Sequence, residues 1–262
     1  MEKRHVSNLN EAKSLINLAM ITGQMLIKNG AEIYRAEDTI ERMCACVEEI
    51  REVEVFALSS AIFVSTQYEG ETITMFKDIE SQGVHLSRIH AINAFSRKFV
   101  SGSISLSDAR KELLSIAAMD KCPLALAMFF TGLCSASFAI MFGGDLYDFG
   151  YTFFVGSVLS YFLRITSNYD MSFFPETFLG TMIISILAFI GASQTDKLHM
   201  DMIIIGSIMP LVPGLAVTNA LRDIISGDFV SGMIGITKGI FVALAIALGV
   251  GFILNIQKMI GG

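Results

Sequence analysis

The sequence predicts an α-helical membrane protein with five transmembrane helices preceded by an N-terminal cytosolic α+β domain. Three observations carry this. Charge thins abruptly near Lys121: residues 1–121 hold 14 Lys/Arg and 17 Asp/Glu, residues 122–262 only 5 and 8. Beyond that point the chain is a succession of apolar runs, most near the roughly 20 residues a spanning helix requires. Before it, helical periodicity is interrupted once by strict alternation of the kind a sheet needs. With 53% apolar residues and a mean hydropathy of +0.59, the chain is too apolar for a soluble protein and too charged to be membrane throughout. Two domains, 1–121 and 122–262, fit that average better than one.

From Asn8 to Lys28, Leu15, Leu18, Ala19, Ile21, Met25 and Leu26 recur at helical spacing, and Asn29-Gly30 supplies a left-handed stop. A second helix, about 31–47, sets Ile33, Ala36, Ile40, Met43 and Val47 on one face, with Asp38 and Arg42 paired at i,i+4 on another. VEVFAL, AIFVSTQ and ETITMF then alternate as three antiparallel strands, with Glu69-Gly70 as a hairpin turn. Two more helices follow, near 86–100 and near 108–119, the latter expected to be capped by Ser107. The first domain is thus ordered ααβββαα.

The five spans are expected near 123–142, 149–166, 174–193, 202–220 and 233–256. Lys121 with the basic residues before it, Arg164 and Arg222 fall on one side, and Lys197 and Lys258 on the other. The positive-inside rule then puts the amino terminus in the cytoplasm and the carboxyl terminus outside. The opening MEKRHVSNLNEAK lacks the apolar core of a signal peptide, so the first domain is expected to remain cytoplasmic.

Composition also narrows function. The net charge of −6 offers no basic surface for nucleic acid. Cys44, Cys46, Cys122 and Cys134 lack zinc-type spacing and read as free thiols. His5, His85, His90 and His199 lack the i,i+4 spacing of a helical metal pair, so neither a metal nor a cofactor is expected. Asp145 and Asp148, flanking Tyr147, read as solvated turn residues. Ser59, Ser60 and His85 stand at no spacing that makes a triad, which argues against a membrane-anchored hydrolase.

The polar residues inside the spans are more informative. Pro210-Leu-Val-Pro213-Gly214 should break or kink the fourth span, because each proline removes a donor and clashes with the preceding turn. Exposed backbone at membrane depth is tolerated only in protein or beside a wet cavity, and Thr218, Asn219, Arg222 and Asp223 follow within three turns. A packing kink is the alternative. Lys238, about six residues into the fifth segment, either reaches Asp223, Asp228 or a substrate carboxylate, or snorkels to the interface. Glu176, after Pro175, is a coupling group or an interfacial carboxylate at a helix start. Gly232, Gly235, Gly239, Gly249 and Gly251 give the fifth span small faces for another helix. In the first domain the densest polar stretch is NGAEIYRAEDTIERM, where Glu32 and Arg35 can pair at i,i+3 beside Tyr34 and Glu37.

Two passages, LIKNGAEIYRAEDTIERM and PLVPGLAVTNALRDIISGDFVSG, together with the order of domain then spans, resemble the threonine/serine exporter family in its split, two-component form. The resemblance implies a long subunit carrying the cytosolic domain and a separate short membrane subunit supplying the remaining spans. It implies export of L-threonine and L-serine at the expense of the proton-motive force, across the inner membrane of the cell. For some split members it implies export of dicarboxylates such as succinate instead. Pro210, Pro213, Gly214, Thr218, Asn219, Arg222, Asp223 and Lys238 are the expected pathway residues, Glu176 a possible coupling residue, and Glu32, Tyr34, Arg35 and Glu37 a cytosolic signature. A regulatory subunit without a pathway of its own is a further reading.

Overall fold

Helix α1 (Leu9–Lys28) starts where the Asn8 side chain accepts the Glu11 N–H at 2.9 Å. It stops at Gly30, whose φ of +87° suits a residue without a side chain. The Gly30 N–H bonds to the Ile27 carbonyl and the Ala31 N–H to the Leu26 carbonyl, each at 3.0 Å, a Schellman stop that satisfies the last carbonyls. The structure is a computed structural model and describes residues 4–79, 83–119, 122–167, 169 and 171–261. Lys121, one of the residues on which the orientation rests, lies outside them.

Helix α2 (Ile33–Ala45) buries Ile33, Ala36, Ile40 and Met43, the face its periodicity predicts. Strands β1 (Ile50–Ala57), β2 (Ala61–Tyr68) and β3 (Glu71–Asp78) form an antiparallel sheet in that order. Tyr68 pairs with Glu71 across Glu69 and Gly70, both at positive φ as a type I′ turn requires. Helix α3 (Leu86–Val100) follows, then α4 (Leu106–Ala117). The α4 cap is Ser105, not the expected Ser107: its Oγ accepts the Asp108 N–H at 3.1 Å, which starts the helix earlier. Ile16, Met20, Leu26, Ile40, Met43, Ile62, Ile92, Phe95 and Phe99 are all but inaccessible in this core. Each such side chain contributes roughly 1.5–3 kcal/mol relative to exposure.

The remaining helices are α5 (Leu124–Met141), α6 (Leu146–Thr166), α7 (Phe173–Gln194), α8 (Met200–Ile208), α9 (Gly214–Ser226) and α10 (Phe229–Gly261). Three of them, α5, α7 and most of α10, are long and apolar enough to cross a membrane, and a fourth span is reached if α8 and α9 with the turn between them count as one broken span. Five spans were expected. The difference is α6, which has 21 residues but carries Asp148, Arg164 and three tyrosines. The predicted break in the fourth segment is present. Helix α8 ends at Ile208, a 3-10 turn spans Met209–Leu211, and Val212 is extended because the ring of Pro213 forbids it the helical region.

The chain forms two compact units. One holds Met1–Asp120 with Leu215–Ile236, the other Lys121–Gly214 with Thr237–Gly262. In the second, small residues let helices approach to backbone contact: a Cβ on Gly156 would lie 2.5 Å from the Ser135 Oγ, and one on Gly206 2.7 Å from the Ser135 carbonyl oxygen. The small faces of α10, expected to receive a partner, are partly used within the chain. Gly232 and Gly235 close on Ala220 of α9, while Gly249 closes on the Phe178 carbonyl of α7. All four cysteines are free.

Candidate functional site

Two stretches nearly two hundred residues apart meet in the first unit. The stop at Gly30 sets the start of α2, where Glu32 provides no side-chain cap and the first turn holds no acidic residue. Its leading N–H groups therefore need an acceptor from elsewhere. On α9, Asn219, Arg222 and Asp223 stand at i, i+3 and i+4 and share one face. The Asn219 amide donates to the Gly30 carbonyl at 3.1 Å, the Arg222 guanidinium pairs with Glu32, and the Asp223 carboxylate accepts the Ile33 N–H. Asp223 thus caps α2 and places a negative charge at the positive end of its dipole.

Glu32 is nearly buried and is also held by Arg35 at 3.1 Å, the i,i+3 pair read from the sequence. Tyr34 points outward at 37% exposure. One turn on, Glu37 accepts the Ala57 N–H at the end of β1 at 2.7 Å. The Ala57 carbonyl in turn accepts the Ser231 hydroxyl of α10 at 3.5 Å. Burial pushes the Glu37 carboxyl above its ordinary range. The Ala57 N–H opposes that rise, while Asp228, Glu41 and Asp223 add to it. The expected signature residues Glu32, Arg35 and Glu37 and the expected pathway residues Asn219, Arg222 and Asp223 so form one polar junction. Pro210, Pro213 and Gly214 stand at the break in the fourth segment, and Thr218 lies in α9.

In the second unit the Lys238 ammonium lies 5.3 Å from the centre of the Phe173 ring, a cation–π contact. Glu176 accepts the Thr166 hydroxyl at the start of α7, the geometry of a carboxylate at a helix N-terminus.

Asp148 corrects the expectation of a solvated turn: it is fully buried. With Asp145 it closes a capping box at the start of α6, its Oδ2 accepting the Asp145 N–H at 3.0 Å. Its oxygens also accept the His199 N–H and lie against His199 Nδ1, each at 2.8 Å. The bond to Asp148 is the main reason that the His199 pKa is raised. Asp145, Asp148 and His199 bring ligand atoms within 4.8 Å of one another, the spacing a metal ion could use. Sequence reasoning missed this because the partners are 51 positions apart. The available signal was the Asp-x-x-Asp box before an apolar run.

A family model described as "Putative threonine/serine exporter" matches residues 17–257. The chain is 23% identical to "Probable succinate transporter subunit YjjP" of Klebsiella aerogenes, over 92% of this chain and 93% of that protein. It is 21% identical to the protein of the same description in Escherichia coli strain K12, over 96% and 98%. It is 22% identical to "Pheromone-regulated membrane protein 10" of Eremothecium gossypii over 69% of this chain, but only 26% of that longer protein. No solved structure matches.

Proposed function

The chain belongs to the threonine/serine exporter family, and from that membership we propose that it is one subunit of a secondary active exporter of small polar amino acids, threonine and serine. It works with a second, short membrane subunit and is driven by the proton-motive force. Both lie in the cell's inner membrane, with five spans from this chain and its amino terminus in the cytoplasm. The observation that carries the subunit reading is a likeness spanning 93% and 98% of two relatives that are each described as a transporter subunit.

Substrate would pass beside the broken fourth segment, at Pro210, Pro213, Gly214, Thr218, Asn219, Arg222 and Asp223, with Lys238 meeting its carboxylate and Glu176 available for coupling. Arg222 is already engaged by Glu32, whereas Lys238 lies against the Phe173 ring and has no carboxylate partner among the described residues of its own unit. One available cation suits the single carboxylate of an amino acid.

A second reading, export of a dicarboxylate, is favoured by the relatives' description as succinate transporter subunits. It needs Arg222 to release Glu32 so that Arg222 and Lys238 meet the two carboxylates. The test is uptake of labelled threonine, serine and succinate into inside-out vesicles, energised and then uncoupled, with this chain alone and with its short partner. Uncoupler-sensitive uptake of threonine and serine that needs the partner is expected. Uptake of succinate alone selects the second reading, and no uptake of any of the three rejects both.

A further inference from the structure

The outer face of the three-stranded sheet carries a row of phenylalanines that the core does not use. Phe56, Phe63 and Phe76 stand opposite one another across β1, β2 and β3. Their rings form a tilted ladder with centroids 6.3 Å and 4.9 Å apart, yet they remain 54%, 41% and 57% exposed. The inner face is already apolar: Ile62 and Val64 are buried in the core, and Val55 and Met75 pack against it. A sheet with one face on a core ordinarily presents polar side chains on the other. Three side chains of ~150–250 Å², each about half exposed, leave on the order of 300 Å² of apolar surface open, a size at which exposed patches are often functional.

The place of the row in the first unit says what covers it. The next rows on the same face are Glu54, Ser65 and Thr74, then Gln67 and Thr72, so the face grades from apolar to polar toward the Glu69-Gly70 turn. Successive rows lie about 7 Å apart. The apolar end adjoins α10: Ala57, directly after Phe56, accepts the Ser231 hydroxyl of α10 on its carbonyl at 3.5 Å. Phe229 and Val230, just before Ser231, are exposed. Within α10, Phe229–Met259 is long and apolar enough to cross a membrane. The Phe56 end of the row therefore lies where α10 begins its passage into lipid. A second copy of the chain is a poorer occupant, because the row offers well under the ~800 Å² per partner of a stable interface and polar rows border it.

We propose that Phe56, Phe63 and Phe76 form a membrane-insertion surface: the three rings enter the boundary between headgroups and acyl chains of the bilayer that α10 crosses, while the polar rows stay in water. Phenylalanine is among the side chains that interfacial apolar faces bury by ~5–10 Å at that boundary. The row and the first turn of α10 then attach the sheet to the lipid surface from either side of Ala57. The proposal depends on α10 spanning the bilayer and not on the substrate that is carried.

The sequence contains no tryptophan, so a single Phe63→Trp or Phe76→Trp substitution in the full chain gives one fluorophore in the row at small steric cost. Each variant is reconstituted into phosphatidylcholine vesicles with and without brominated acyl chains, which quench indole emission only on contact with lipid. Leu244→Trp, midway along the apolar stretch of α10, reports the span itself, and Thr72→Trp reports the polar end of the same sheet face. Phe63→Trp and Phe76→Trp should show blue-shifted emission and lose intensity to the brominated lipid, as Leu244→Trp does, while Thr72→Trp should emit as in water and lose none. Emission from either row position that is unquenched while Leu244→Trp is quenched overturns the proposal. If that emission is also blue-shifted, the row packs on protein, a second copy or another subunit, instead of lipid. Equal quenching at Thr72→Trp overturns it as well, because the row would then not be what enters. An unquenched Leu244→Trp removes the span on which the proposal depends. The measurement requires no substrate, so this surface and the exporter reading fail independently.

Discussion

Truncating Asp223 should loosen the start of α2, although the two residues belong to distant parts of the sequence. The helix has neither a side-chain cap nor an acidic residue in its first turn, and the Asp223 carboxylate accepts the Ile33 N–H in their place. Loss of an N-cap costs about 1 kcal/mol, and loss of an anion at a helix N-terminus a further ~0.3–1 kcal/mol. Together Asp223→Ala should cost roughly 1–2 kcal/mol of local stability, which is a factor of roughly 5–30 in the opening equilibrium. Asp223→Asn keeps the acceptor and relieves repulsion from Asp228, so it should cost much less. Hydrogen exchange followed by mass spectrometry on peptides covering residues 33–40, in the full chain in nanodiscs, measures the opening directly. Unchanged protection in Asp223→Ala, or equal losses in the Ala and Asn variants, would refute capping by α9.

Three further outcomes follow from the same structure. Gly206→Ala drives a Cβ to 2.7 Å from the Ser135 carbonyl oxygen and 2.9 Å from the Ala139 nitrogen, and both are backbone atoms that cannot rotate away. It should destabilise the second unit by about 1–3 kcal/mol, while Gly251→Ala, with nothing within 4 Å, should leave the melting temperature in detergent unchanged. The His199 pKa is raised by Asp148, so their tie contributes fully below the ordinary histidine value near 6.5 and is lost as pH rises through the raised one. NMR titration should therefore show His199 returning to its ordinary value in Asp148→Asn, and the pH dependence of melting between wild type and variant should converge at high pH. In the vesicle assay, Asn219→Ala and Asp223→Asn should each reduce export without lowering the amount of protein in the membrane, and full transport by both would remove them from the pathway.

Much of the secondary structure was legible because it is set locally. Gly30 ends α1 through its own backbone freedom, Glu69-Gly70 turns the hairpin through two positive φ angles, and Pro213 forces Val212 out of the helix. The periodic apolar faces of α1 and α2 were legible for the same reason, since a helix displays its pattern within a few residues. The cap of α4 slipped by two positions because Ser105 and Ser107 are chemically equivalent and only the helix's actual start distinguishes them. The pairing of Glu32 with Arg35 needed nothing beyond one turn of helix.

The polar residues of the site could be chosen from sequence, but not their partners. Asn219, Arg222 and Asp223 stood out as polar groups beside a broken apolar segment, yet nothing local tells Arg222 to pair with Glu32, Asp223 to cap α2, or Lys238 to lie against Phe173. Nor does spacing disclose that Asp148 is buried and bound to His199. By itself the sequence determined the elements, the division of charge between the two halves, and which side chains were too polar for their surroundings. Tertiary structure alone decided which of those side chains meet, because a buried charge or an uncapped helix end is satisfied by whatever packing brings within about 3 Å of it, at any distance along the chain.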